Sequence, residues 1–166
     1  MQAAGPNVRA SLNSALQDFD EARCILQDVP TTEDSTLFEI DMQSIKAALK
    51  MTFCKNLKTD ERLRWLQVAD GHCHKASRLS ETTTMPEVAQ RVRMEKAILY
   101  GRRIELCARG SQKDPMLIRM EGDGAIEGLE RAMQDFQKSN EGSYHRHRER
   151  AEGWLSHFKK ATIDGS

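Results

Sequence analysis

The sequence predicts an all-α protein of five to six antiparallel helices. They are arranged as helical hairpins, in a solenoid-like array or an up-down bundle. Three observations predict it. Apolar residues recur at steps of three and four in six successive segments. No segment alternates at period two for long enough to make a strand. The connections are short and carry turn residues, and short loops between long helices make antiparallel neighbours.

The first segment places Val8, Leu12, Ala15, Leu16, Phe19, Ala22 and Leu26 on one face. Asn7 is its expected cap and Pro30 its expected end. The second opens at Thr31-Thr32-Glu33-Asp34-Ser35, where Thr31 and Asp34 have capping-box spacing. Its stripe is Leu37, Phe38, Ile45, Ala48 and Leu49. The third starts at Thr59-Asp60-Glu61, with acids in the first turn, where the helix dipole favours them. Leu66, Ala69, Cys73 and Ala76 form its stripe, and Ser80 to Thr84 are expected to break it.

Thr84, Pro86 and Glu87 give the fourth segment a cap, a first-turn proline and a Thr-x-x-Glu box. Gly110 is its expected stop. The fifth begins at Asp114-Pro115 and carries Gly122, Gly124 and Gly128. Each glycine costs about 1 kcal/mol in a helix interior relative to alanine. Either the helix breaks near Gly122, or the glycines admit a neighbouring backbone. The sixth follows Asn140-Glu141-Gly142, with Ser143 as cap and Tyr144, Ala151, Trp154, Leu155 and Phe158 as its apolar residues. This reading makes residues 7–160 a single helical domain, with flexible ends at 1–6 and 161–166.

Composition fits long helices with one buried stripe and a broad solvated face. Of 166 residues, 39% are hydrophobic, 5% aromatic and 30% charged. Lys+Arg and Asp+Glu are both 25, so formal net charge is zero. That balance argues against a nucleic-acid binder working through bulk charge and against an acidic solvating tail. Cys24, Cys54, Cys73 and Cys107 form no CxxC pair, and each falls in a predicted helix. Reduced, helix-packing thiols are expected, which together with the lack of a signal peptide points to the cytoplasm. No stretch approaches the roughly 18 apolar residues of a membrane span.

Ala15…Phe19…Ala22 and Ala132…Phe136…Ser139 share an Ala-x-x-x-aromatic-x-x-small pattern, with Ala69…Cys73…Ala76 as a variant. It resembles the second-helix signature of tetratricopeptide repeats. The first-helix signature (Trp, Leu, Gly and Tyr at fixed offsets) does not appear at the matching distance. The helices also look longer than a 34-residue repeat allows. The resemblance implies stacked helical hairpins that bind a partner segment.

His72-Cys73-His74 looks like a metal site, but on a helix these neighbours point about 100° apart and fan around it. Helical ligand pairs need spacings of three or four. Only Asp70 fits, and His145, His147 and His157 have nothing in the sequence to bring them near. Cys73 lies on the apolar stripe, while Asp70 and His74 read as a surface pair. No metal and no cofactor is expected.

His145, Arg146, His147, Arg148 and Arg150 form a basic stretch near Tyr144 and Trp154, diluted by Glu149 and Glu152. It reads as a solvated face, and Trp154 and Phe158 share a side that suits packing. Arg91, Arg93, Arg102 and Arg103 give the fourth helix a basic side, with Glu95 and Glu105 as intrahelical partners. Nucleophile elbows, phosphate loops, dinucleotide loops and HExxH are all missing from the sequence.

The expected function is a non-catalytic protein–protein interaction module that binds a partner peptide or domain in a groove between helices. Arg91, Arg102, Arg103, Arg146, Arg150 and Trp154 are the candidate groove residues. A protein partner is expected, with no nucleic acid and no membrane. Two alternatives belong to other classes. One is a membrane-active or cell-death-type bundle with the first helix as actor. The other is a metal-dependent helical-bundle enzyme.

Overall fold

The computed structural model describes residues 6–29, 34–82, 86–108, 115–137 and 143–164. Six helices follow in order: α1 Pro6–Gln27, α2 Asp34–Met51, α3 Thr59–Thr82, α4 Pro86–Ala108, α5 Pro115–Gln137 and α6 Ser143–Asp164. The protein is all-α, with no strand among the described residues. Contacts divide the chain into two compact units, Met1–Thr84 and Met85–Ser166, where the sequence reading drew one domain.

Most residues of the predicted α2, α3 and α6 stripes are buried, whereas Val8 of the α1 stripe is exposed. In the first unit, Phe38, Met42, Ile45, Ala48 and Leu49 of α2 are buried with Leu66, Ala69, Cys73 and Ala76 of α3. α1 packs on α2, yet only its Leu16 is fully buried; Leu12, Phe19, Ala22 and Leu26 are half-covered. In the second unit α5 packs on both α4 and α6, and α4 also meets α6. Val92, Met94, Ile98, Leu106, Leu129, Phe136, Trp154 and Phe158 are buried there. The rings of Trp154 and Phe158 lie 5.4 Å apart and those of Phe136 and Tyr144 5.6 Å apart, so this core is aromatic.

Several helix ends differ from expectation. Asn7 is inside α1, because Pro6 already holds the fixed φ and missing N–H that suit a first helical position. The Asn7 carbonyl accepts a hydrogen bond from Ser11 Oγ at 3.0 Å. At α3 the cap lies one residue earlier than Thr59. The Lys58 carbonyl accepts from Arg62 N–H, and Glu61 Oε2 accepts the Lys58 N–H at 3.0 Å. α3 also runs past Ser80 to Thr82. Pro6 and residues 161–164, expected in flexible ends, are helical, as part of α1 and α6. The expected roles of Pro30, Thr31, Thr84, Gly110, Asp114 and Asn140–Gly142, and those of residues 1–5, 165 and 166, lie outside the described residues.

Cys54 is in the α2–α3 link rather than in a helix, because α2 ends at Met51. There Arg62 gathers three carbonyls, donating to Leu57 O (3.0 Å), Thr52 O (3.0 Å) and Cys54 O (3.2 Å). Its planar fork suits several acceptors at once. Asn56 turns the chain with φ 65°, a left-handed conformation that asparagine tolerates.

α5 is unbroken through its three glycines. A Cβ on Gly128 would lie 3.0 Å from the Ala97 Cβ, so α4 and α5 approach closely there. Gly101 of α4 does the same work: its Cβ would meet the Phe158 ring at 2.6 Å and Ala125 at 3.0 Å.

Candidate functional site

The sequence-derived groove residues do not share one exposed surface. Arg91, Arg102 and Trp154 are buried, while Arg103 and Arg146 are exposed. Trp154 is core because its indole packs on Phe158 and against the His157 ring edge. Arg102 Nη1 donates to Glu105 Oε2 at 2.6 Å, an i,i+3 pair within α4 as predicted. Glu95 departs from its intrahelical expectation. Fully buried, it accepts two bonds from Arg150 of α6, at 2.7 and 2.8 Å.

Glu105 also pairs with His157 of α6 at 3.1 Å. Burial alone would push its carboxyl up. The hydrogen bonds from His157 and Arg102, with their charges, outweigh burial and hold it at about 2. A third α4–α6 pair is Glu87 with His147 at 3.3 Å. The carboxylates of α4 thus face the cations and imidazoles of α6, and the basic stretch of α6 is partly consumed inside its own unit.

The first unit holds a different polar arrangement. Asp41 of α2 has 0% exposure and His72 of α3 only 4%. His72 Nδ1 is 3.0 Å from Asp41 Oδ1, and its Nε2 is 3.5 Å from Asp20 Oδ1 of α1. The other Asp41 oxygen is 3.2 Å from Arg23 Nη1 of α1, an ion-pair contact that lacks hydrogen-bond geometry. One chain, Asp20–His72–Asp41–Arg23, therefore ties three helices together. Cys73 is buried as its stripe predicts, and His74 is exposed. The two nitrogens of His72 face carboxylates on opposite sides of the ring, which cannot converge on one ion. Among the described residues no group of three His, Cys, Asp or Glu side chains is placed to hold a metal. None of the four cysteines is in a disulfide; Cys54 and Cys73 are buried and Cys24 is exposed. Burial pushes the Cys54 thiol up, against weaker opposing effects of Arg9 and Arg62.

Beside this chain, a shallow hollow of about 380 Å³ lies between α1 and α2. Phe19 of α1 and Ser35, Thr36, Glu39, Ile40 and Gln43 of α2 line it. On the same helix Val8 and Ile25 are exposed, and Val29 just beyond it is too. Sequence reasoning passed over this place because its attention went to arginines. The available signal was Phe19, the one aromatic on the regular stripe of α1. No described helix is long and apolar enough to cross a membrane. No family model, curated protein or solved structure matches the chain.

Proposed function

We propose that the protein is a non-catalytic interaction module of the cytoplasm, a helical-repeat-like scaffold that seats an amphipathic helix of a partner protein in the α1–α2 hollow. The observation that carries this reading is the hollow, with half-buried Phe19 and Ile40 set among Ser35, Thr36, Glu39 and Gln43. Mostly apolar clefts with a few polar groups are the usual form of helix-in-groove recognition. The arginine set first favoured by the sequence supports it less well, since Arg102 and Arg150 are engaged with Glu105 and Glu95.

The experiment is site-specific photocrosslinking, with the reactive residue at Thr36 or Gln43 and a control at Lys160. One defined partner segment is expected to crosslink from the hollow, not from the control, and to be lost in Ile40→Asp. Equal crosslinking from all three positions, or turnover of a small molecule with no partner, overturns the reading. The membrane-active alternative draws on exposed Val8, Ile25 and Val29. Release of dye from anionic vesicles would favour it, and intact vesicles would favour the scaffold.

A further inference from the structure

The side chains that attach α1 to its unit are partly apolar and partly charged, with Leu12, Phe19, Ala22 and Leu26 half-covered. Leu16 is its one fully buried apolar residue among those described. Against that stand Arg23 on Asp41, Asp20 on His72, and Arg9 on Glu61 at 3.7 Å. The charged groups at His72 come from both facing helices: Asp20 and Arg23 from α1, and Asp41 from α2. A neutral imidazole has one N–H and one lone pair, so it can donate to only one of two carboxylates. The imidazolium carries an N–H on each side, so it holds Asp41 by a hydrogen bond at 3.0 Å and attracts Asp20 as an ion pair at 3.5 Å.

We propose that a proton on His72 latches α1 onto α2 and α3, and that its loss loosens α1 and reshapes the α1–α2 hollow. The functional consequence rests on reading that hollow as the docking site; the proton linkage does not. The proton leaves from Nε2, because Asp41 is wholly buried and keeps the Nδ1–H. Asp20, with a side chain 57% exposed, then turns its carboxylate to water. Arg23 stays on Asp41, so α1 loosens without unfolding.

The test is amide hydrogen exchange on the full chain, expressed as protection relative to the intrinsic rate, at about pH 5.5 and about pH 8.5. Protection over residues 7–27 is expected to fall about tenfold at the higher pH, with residues 122–136 of α5 changing less than about twofold. In Asp20→Asn the carboxamide accepts from or donates to Nε2 in either ring state, so the pH response of α1 is expected to vanish. Equal α1 protection at both pH values, or an undiminished response in Asp20→Asn, overturns the latch. If the pH response holds but no segment crosslinks at Gln43, the latch stands and the docking reading falls.

Discussion

Met85–Ser166 buries Trp154, Phe158, Tyr144 and Phe136, and sets its α4–α6 ion pairs beside that aromatic core. Met1–Thr84 buries a good core between α2 and α3, but attaches α1 with Leu16, half-covered Leu12, Phe19, Ala22 and Leu26, and a chain of charges. The lesson concerns the work that charge does. In the second unit ion pairs supplement apolar burial. In the first they work beside a thinner apolar contact along one helix. Apolar burial is indifferent to pH and salt in a way that exposed ion pairs are not.

The largest expected effect tests the apolar side of that contrast. Trp154→Ala should cost the second unit about 4 kcal/mol in denaturant unfolding, while Leu16→Ala should cost the first about 2 kcal/mol, in α1 attachment. Equal losses would erase the difference. Next come the buried carboxylates. Asp41→Ala strands Arg23 and one face of His72, for a loss of about 3 kcal/mol. Glu95→Ala should cost less, about 2 kcal/mol, because the Arg150 side chain is 22% exposed and can reach water.

Acid should act on Glu105. Its folded value of about 2 lies below the ordinary 4.5, so its contribution is present above about pH 4.5 and is lost as pH falls towards 2. That contribution is on the order of 3 kcal/mol. Acid titration of Glu105→Gln should lack this component. The smallest effect has opposite signs in the two units. Gly71→Ala, with open space around it, should stabilise by roughly 0.5–1 kcal/mol, whereas Gly101→Ala should destabilise against Phe158 and Ala125.

The helices were legible because their stripes are regular: Leu66, Ala69, Cys73 and Ala76 are all buried as their spacing requires. Helix ends slipped by a residue or two, since proline and acidic side chains offer competing start points, as at Pro6 and Lys58. The polar chain was missed for a physical reason. Asp41 and His72 are 31 positions apart, and spacing within one helix says nothing about a partner on another. A signal was still present. Asp41 sits among Phe38, Met42 and Ile45, on the face that the period assigns to the core. A charge on such a face demands a partner. Glu95 and Arg102 are buried charges in α4 too, and Glu95 finds its partner on another helix rather than within its own.

The most direct measurement is native-state hydrogen exchange across a denaturant series, read helix by helix. The attachment of α1 by charge and a thinner apolar contact predicts that residues 7–27 open in a local step below the free energy that opens α2 and α3 together. If α1 instead exchanges with α2 and α3 in one cooperative transition, the contrast between the two units is wrong.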